Sequence, residues 1–152
     1  MKKYFLDLFE YNNWANDKII LRLQSINEEF KNANPLQILS HIISVQDYWF
    51  ERVKGIKSYN IFLWDEFSIQ ELGVLSLNSH QDWVKFITKL NESEFEKKSS
   101  YKNPDGKKMT RSYQDIFQHI INHSSYHRGQ INQIFRMNKI EPVNLDFIYY
   151  AN

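Results

Sequence analysis

The sequence predicts an all-α protein built as a four-helix bundle, and three observations carry that expectation. Only 4 Gly and 3 Pro interrupt 152 residues that are 42% hydrophobic. Apolar residues recur at helical spacing in four separate stretches. Two of those stretches open on strong start signals, Asn34-Pro35 and Ser112 followed by Asp115. A chain of this length buries about 70% of its unfolded surface, so one domain over residues 1–152 with its own core is expected.

The first helix is expected from Lys3 to about Ile26, with Phe5, Leu8, Ala15, Ile19 and Leu23 as its stripe and Asp17 and Arg22 elsewhere. Asn12 projects into the same stripe. A buried amide needs partners, supplied by a neighbouring helix or by a site. The second helix begins at Asn34-Pro35, Asn as N-cap and Pro at the first helical position, and runs to about Lys54 before Gly55. Its inward residues read Ile38, His41, Ile42, Val45, Tyr48 and Trp49. A lone histidine on such a stripe is by itself a satisfied core residue; facing histidines would make it a ligand.

Residues 56–77 have no clean period, so short helical or irregular pieces are expected, with Tyr59, Phe62, Trp64 and Phe67 folding them back on the bundle. Asn78-Ser79 followed by Asp82 resembles a capping box and places the start of the third helix there. Trp83, Phe86, Ile87 and Leu90 supply its stripe, its end falls near Lys97, and His80 in its first turn is expected to be solvated. The run from Tyr101 to Met109 carries a Pro104-Asp105-Gly106 turn and predicts a β-hairpin or ordered loop. Ser112 and Asp115 then cap the fourth helix, expected to reach about Asn138 before Pro142.

Composition narrows the function. Nineteen Lys and Arg against eighteen Asp and Glu give a net charge of +1 with no like-charge block, which argues against sequence-independent nucleic-acid binding. Asp7 and Glu10 interrupt what a signal peptide needs as an apolar run, and no stretch is long enough to span a bilayer, so a cytoplasmic, soluble protein is expected. The chain has no cysteine, which removes disulfides, thiolate ligands and a cysteine nucleophile. Any thiol chemistry needs a thiol from outside. The glycosylation-type triplets Asn91-Glu92-Ser93 and Asn122-His123-Ser124 are chance matches without a secretory route.

The histidines carry the chemistry. His119, His123 and His127 follow one another at intervals of four, which on a helix sets neighbours about 40° apart around the axis and roughly 6 Å along it. With Ile120 at the centre of a helical wheel, Ile116, Ile131, Ile134 and Asn138 join it in the buried stripe. His127 lies inside that stripe, His123 at its edge, and His119 further round toward Tyr126, Gln130 and Gln133. Two adjacent imidazoles on one buried face are either polar core residues with backbone or hydroxyl partners, or a pair of metal ligands. If the second and fourth helices face each other, His41 becomes the third ligand. Three neutral histidines without a carboxylate leave a divalent ion its full charge and at least one open position, where with zinc a bound water titrates near ~7.

His41 set opposite His123-Ser124-Ser125-Tyr126-His127-Arg128-Gly129-Gln130 resembles the pattern of the DinB/YfiT-like family of metalloenzymes. Tyr11-Asn12-Asn13-Trp14-Ala15-Asn16 is similar to that family's first-helix signature, Leu39-Ser40-His41-Ile42 to its second, and Asp146-Phe147-Ile148 to its tail. The resemblance covers essentially the whole chain. It implies a bundle in up-down-down-up order, a homodimer, and a divalent metal on His41, His123 and His127. Members include transferases and isomerases that use bacillithiol, mycothiol or glutathione, so it also implies an external low-molecular-weight thiol. Asn12, Tyr48, His119 and Gln130 are the candidates to support the ligands or face a substrate. Gly129 suggests close approach of another helix, within the bundle or across a dimer, because glycine costs a helix about 1 kcal/mol relative to alanine. Arg128 leaves the metal side of the wheel and is expected to pair with a surface or partner carboxylate rather than to hold an anionic substrate.

Three functions follow. The first is a metal-dependent enzyme that activates the external thiol for attack on a small electrophilic molecule. The second is a metal-dependent hydrolase, which lacks an obvious general base because Asp47 and Glu51 point away from His41. The third is a non-catalytic metal-binding or small-ligand module, haem included. Three imidazoles suit Zn or Ni, with Fe or Co also accepted, and no residue names the substrate.

Overall fold

The computed structural model describes residues 1–26, 30, 33–56, 62–103 and 105–151. Four long helices make the body: α1 (Lys2–Gln24), α2 (Pro35–Lys54), α3 (Ile69–Lys89) and α4 (Tyr113–Met137). A 3-10 turn (Glu92–Glu96) and an antiparallel hairpin, β1 (Lys98–Lys102) with β2 (Lys108–Ser112), connect α3 to α4. A single turn, α5 (Phe147–Tyr150), ends the chain.

The caps explain where the helices begin. The Asn34 side chain accepts the Leu36 amide, Pro35 fills the first turn, and Gly55 closes α2 in the left-handed region at φ 70. Ser112 and Asp115 form the reciprocal box that opens α4, and Asn138 closes it, as the sequence indicates. In the hairpin, Gly106 takes φ 78, which the turn requires; Pro104 of the expected turn, like Tyr59 of the connection, lies outside the described residues.

The third helix corrects the sequence reading. It starts nine residues before Asn78, at Ile69, on a box between Ser68 and Glu71. Ser79 is a buried mid-helix residue rather than a cap, and His80 is partly buried against Glu10 at 3.3 Å rather than solvated in a first turn. The helix also stops earlier than expected, at Lys89, because the chain tightens into the 3-10 turn that buries Phe95. Of the connection's aromatics, Phe67 packs on the core, whereas Phe62 and Trp64 remain exposed.

Packing decides the order of the helices. α1 lies chiefly on α3 and α2 chiefly on α4, with α2–α3 and α1–α4 closing the ring. Lys2 at the start of α1 bonds to Thr88 at the end of α3, so those two are antiparallel. Tyr113 at the start of α4 bonds to Val53 at the end of α2, so those are antiparallel too. Phe5 meets Phe117 and Arg22 meets Glu141 just beyond α4, so α1 and α4 run parallel. The order is up-down-down-up.

Two apolar clusters fill the interior. One gathers Phe5, Phe9, Trp83, Phe95 and Phe117, the other Ile19, Leu39, Leu72, Ile131 and Phe135. Between them every helix turns polar residues inward: Asn12 and Asn16, Ser44 and Gln46, Ser76 and Ser79, Ser124 and Arg128. This polar waist, flanked by dry core on both sides, is where the histidines sit.

Candidate metal centre

His123 and His127 stand one turn apart on α4, and the antiparallel pairing of α2 brings His41 opposite them. The ring centroids lie 4.4 Å apart for His123 and His127, 4.7 Å for His41 and His127, and 5.1 Å for His41 and His123. One ring nitrogen from each lies within 4.8 Å of the others, and no carboxylate shares the cluster among the described residues. Nitrogens around a tetrahedral ion at about 2.0–2.1 Å stand roughly 3.3 Å apart, so an ion would draw these rings together by up to roughly 1.5 Å.

Hydrogen bonds set the rings for that task. His41 Nδ1 faces the Leu63 carbonyl oxygen at 2.7 Å. A carbonyl can only accept, so Nδ1 carries the proton and Nε2 keeps a free lone pair. His127 Nδ1 donates in the same way to Gln130 Oε1 at 2.7 Å. His123 Nδ1 is buried and has no hydrogen-bond partner among the described residues. An orphaned imidazole nitrogen beside two rings with their lone pairs preset is a donor set suited to a divalent cation.

The electrostatics agree. Burial pushes the His123 imidazole down to about 3, and the neighbouring His127, His41 and His119 add to the effect. Burial also lowers His41, opposed by the Leu63 carbonyl and reinforced by His127. Both rings are therefore neutral at pH 7, the state a metal requires. The cluster can coordinate a divalent ion.

The other candidate residues are distributed around it. His119 is exposed, with its ring 5.5 Å from that of His123 and 5.4 Å from that of Trp49. Both His119 and Trp49 line a cavity of about 580 Å³ under the hairpin, together with Tyr101, Lys98 and Arg111. Gln130 is the partner of His127. Tyr48 accepts at its hydroxyl from Arg52 and packs its ring edge-on to Trp49. Asn12 faces α4 but meets Arg128, not a histidine: its Oδ1 accepts from Nη1 at 2.7 Å, as does Asn16 Oδ1 at 2.7 Å.

Arg128 therefore differs from expectation. It is 1% exposed, and amides of α1 and the Ser125 hydroxyl hold it in place of a carboxylate. Burial lowers its guanidinium to about 10, still charged at pH 7. Arg128 leaves the metal side of α4, as its helical phase indicates, and α1 covers the direction in which it points. Gly129 is also a correction within the chain, since a Cβ there would meet nothing within 4 Å.

Two contributors escaped the sequence reading, the Leu63 carbonyl and Trp64, whose indole stacks on His41 at 3.8 Å. A backbone carbonyl leaves no signature in sequence. The aromatic run of the connection was visible, but not its target.

Comparison with known proteins bears on the same residues. The model of the DinB family matches residues 1–152. The chain belongs to the DinB family. It is 25% identical to Protein DinB of Bacillus subtilis (strain 168), over 99% of this chain and 95% of that one. It is also 25% identical to the Uncharacterized protein YizA of the same organism, over 94% of this chain and 93% of that one. The bundle and the histidine cluster of this DinB-family chain are thus embedded in a full-length match. No helix among the described residues is long and apolar enough to cross a membrane.

Proposed function

We propose that the protein is a divalent-metal enzyme in which His41, His123 and His127 are the ligands and an external low-molecular-weight thiol is transferred to a small electrophile. The observation that carries the reading is the convergence of three histidine nitrogens within 4.8 Å, with no carboxylate in the group. A divalent ion held there supplies Lewis acidity, which lowers the pKa of a thiol at neutral pH. The chain's own part is to present neutral imidazoles, hold two of them by Leu63 and Gln130, and keep the apolar clusters dry on either side. In the transfer a carbon–sulfur bond forms, the thiol proton leaves to solvent, and the electrophile's leaving group departs with its bonding electrons. The cavity beside His119 and Trp49 offers room for the organic part of a substrate.

Hydrolysis ranks second. Asp47 bonds to Ser79 of α3 and has Asp82 and Glu51 as its charged neighbours, which leaves a water nucleophile without an evident base. Zn and Ni suit three imidazoles best, with Fe and Co acceptable. The homodimer that the family resemblance implies and the cytoplasmic setting expected from the sequence belong to the same proposal.

Elemental analysis of purified wild type and His41→Ala tests the ligand set. Near one ion per chain is expected in the first and strong loss in the second; equal content in both would refute it. A panel of thiols with a chromogenic electrophile then tests the reaction. A loaded protein with no metal-dependent rate on any thiol would make the site a binding module.

A further inference from the structure

We infer that Trp64 is a positioning residue for His41, clamping the imidazole plane from outside while the Leu63 carbonyl holds its proton. This rests on the metal-site reading above. The indole lies nearly parallel to the imidazole, centroids 3.8 Å apart and planes 9° from each other. The same indole stands edge-on to His127 at 6.5 Å and 84°, so one ring borders two of the three histidines.

Two consecutive residues therefore define one imidazole. Leu63 accepts the Nδ1 proton over 2.7 Å, and an imidazole held only there still swings far enough to break that bond and exchange tautomers. The stacked indole removes the swing. A ring ordered before the ion arrives gives up less freedom on binding, which is the physical content of a preorganised site.

Core packing does not account for where Trp64 sits. Trp64 is 52% exposed, and Phe62, Asp65 and Glu66 around it are exposed as well. What this stretch does hold onto is His41 on one side and, at Ser68, the cap of α3 on the other.

The test compares wild type with Trp64→Phe, Trp64→Leu and Trp64→Ala, using Co2+ as the probe metal. Long-range proton–nitrogen correlation on the metal-free proteins reads the His41 tautomer. Competition titration reads the Co2+ affinity. Wild type and the Phe variant are expected to hold the single Nδ1–H form and to bind Co2+ within about threefold of each other. The Leu and Ala variants are expected to show tautomer exchange and about 10- to 100-fold weaker binding at unchanged stoichiometry, the usual cost of losing an outer partner of a ligand. Leu and Ala variants that keep both the tautomer and an affinity within about twofold of wild type would overturn the role. Loss of the fold in both would also overturn it, by making Trp64 structural. Wild type that binds no Co2+ would instead remove the metal reading, while the tautomer measurement would still decide the part Trp64 plays.

Discussion

Replacing Arg128 with methionine tests how the polar waist is held. The guanidinium donates to Asn12 Oδ1 and Asn16 Oδ1 at 2.7 Å each, and to Ser125 Oγ at 3.2 Å. Ser125 is exposed and rehydrates, but Asn12 and Asn16 are buried and would keep their oxygens without a donor. Each orphaned buried acceptor costs about 1–3 kcal/mol. Methionine refills most of the aliphatic stem and removes a desolvated cation, which offsets part of that loss. The net expectation is about 2–4 kcal/mol of destabilisation, or roughly 5–15 °C in Tm for a chain of this size. Urea unfolding at pH 7 measures it. A triple variant, Arg128→Met with Asn12→Leu and Asn16→Leu, should recover much of the stability, because no buried acceptor is then left over. An Arg128→Met protein within about 0.5 kcal/mol of wild type would show that the two amides find other donors, and the reasoning would fail.

Acid stability should carry two opposed signals. In the metal-free protein the folded His123 value of about 3 lies below its unfolded value, so its contribution is present at neutral pH and is lost as pH falls through the window from ~6.5 toward 3. Asp47 runs the other way: burial, opposed by a hydrogen bond to Ser79 and reinforced by Asp82 and Glu51, raises its carboxyl to about 6, so its contribution is present below ~3.9 and is lost as pH rises through 6. Asp47→Asn should therefore stabilise the protein at pH 7 to 8, by at most about 3 kcal/mol, and hardly at pH 3.5. Equal Tm shifts at both pH values would contradict this. His123→Gln should flatten the acid limb of a Tm profile; an unchanged limb would mean that another group sets it. At the start of α3, Ser68→Ala should cost about 1 kcal/mol because it removes the cap, while Asn78→Ala, exposed in the middle of the helix, should be close to neutral. Denaturation curves showing the reverse would restore a helix start near Asn78.

Local signals were legible wherever one helix could settle the matter alone. Asn34-Pro35 and Ser112 with Asp115 act through their own backbone neighbours, so both starts were readable. The start of α3 was not, because two cap-like patterns compete. Ser68 with Glu71 prevails where Leu72 and Ser76 can follow into the interior. Choosing between degenerate caps takes knowledge of what the next turns pack against.

The same division holds for the site. The sequence by itself determined four helices, the pairing of His123 with His127 and the absence of any thiol in the chain, since these depend on helical period and residue type. That His41 completes the group was inferred from helix facing and family resemblance; the antiparallel seating of α2 on α4 is what brings the rings together. Tertiary structure alone decided the partners: Leu63 and Trp64 for His41, and Asn12 and Asn16 for Arg128. Each of those contacts joins residues more than 20 positions apart, and no local periodicity encodes which distant atom will occupy the space a side chain faces.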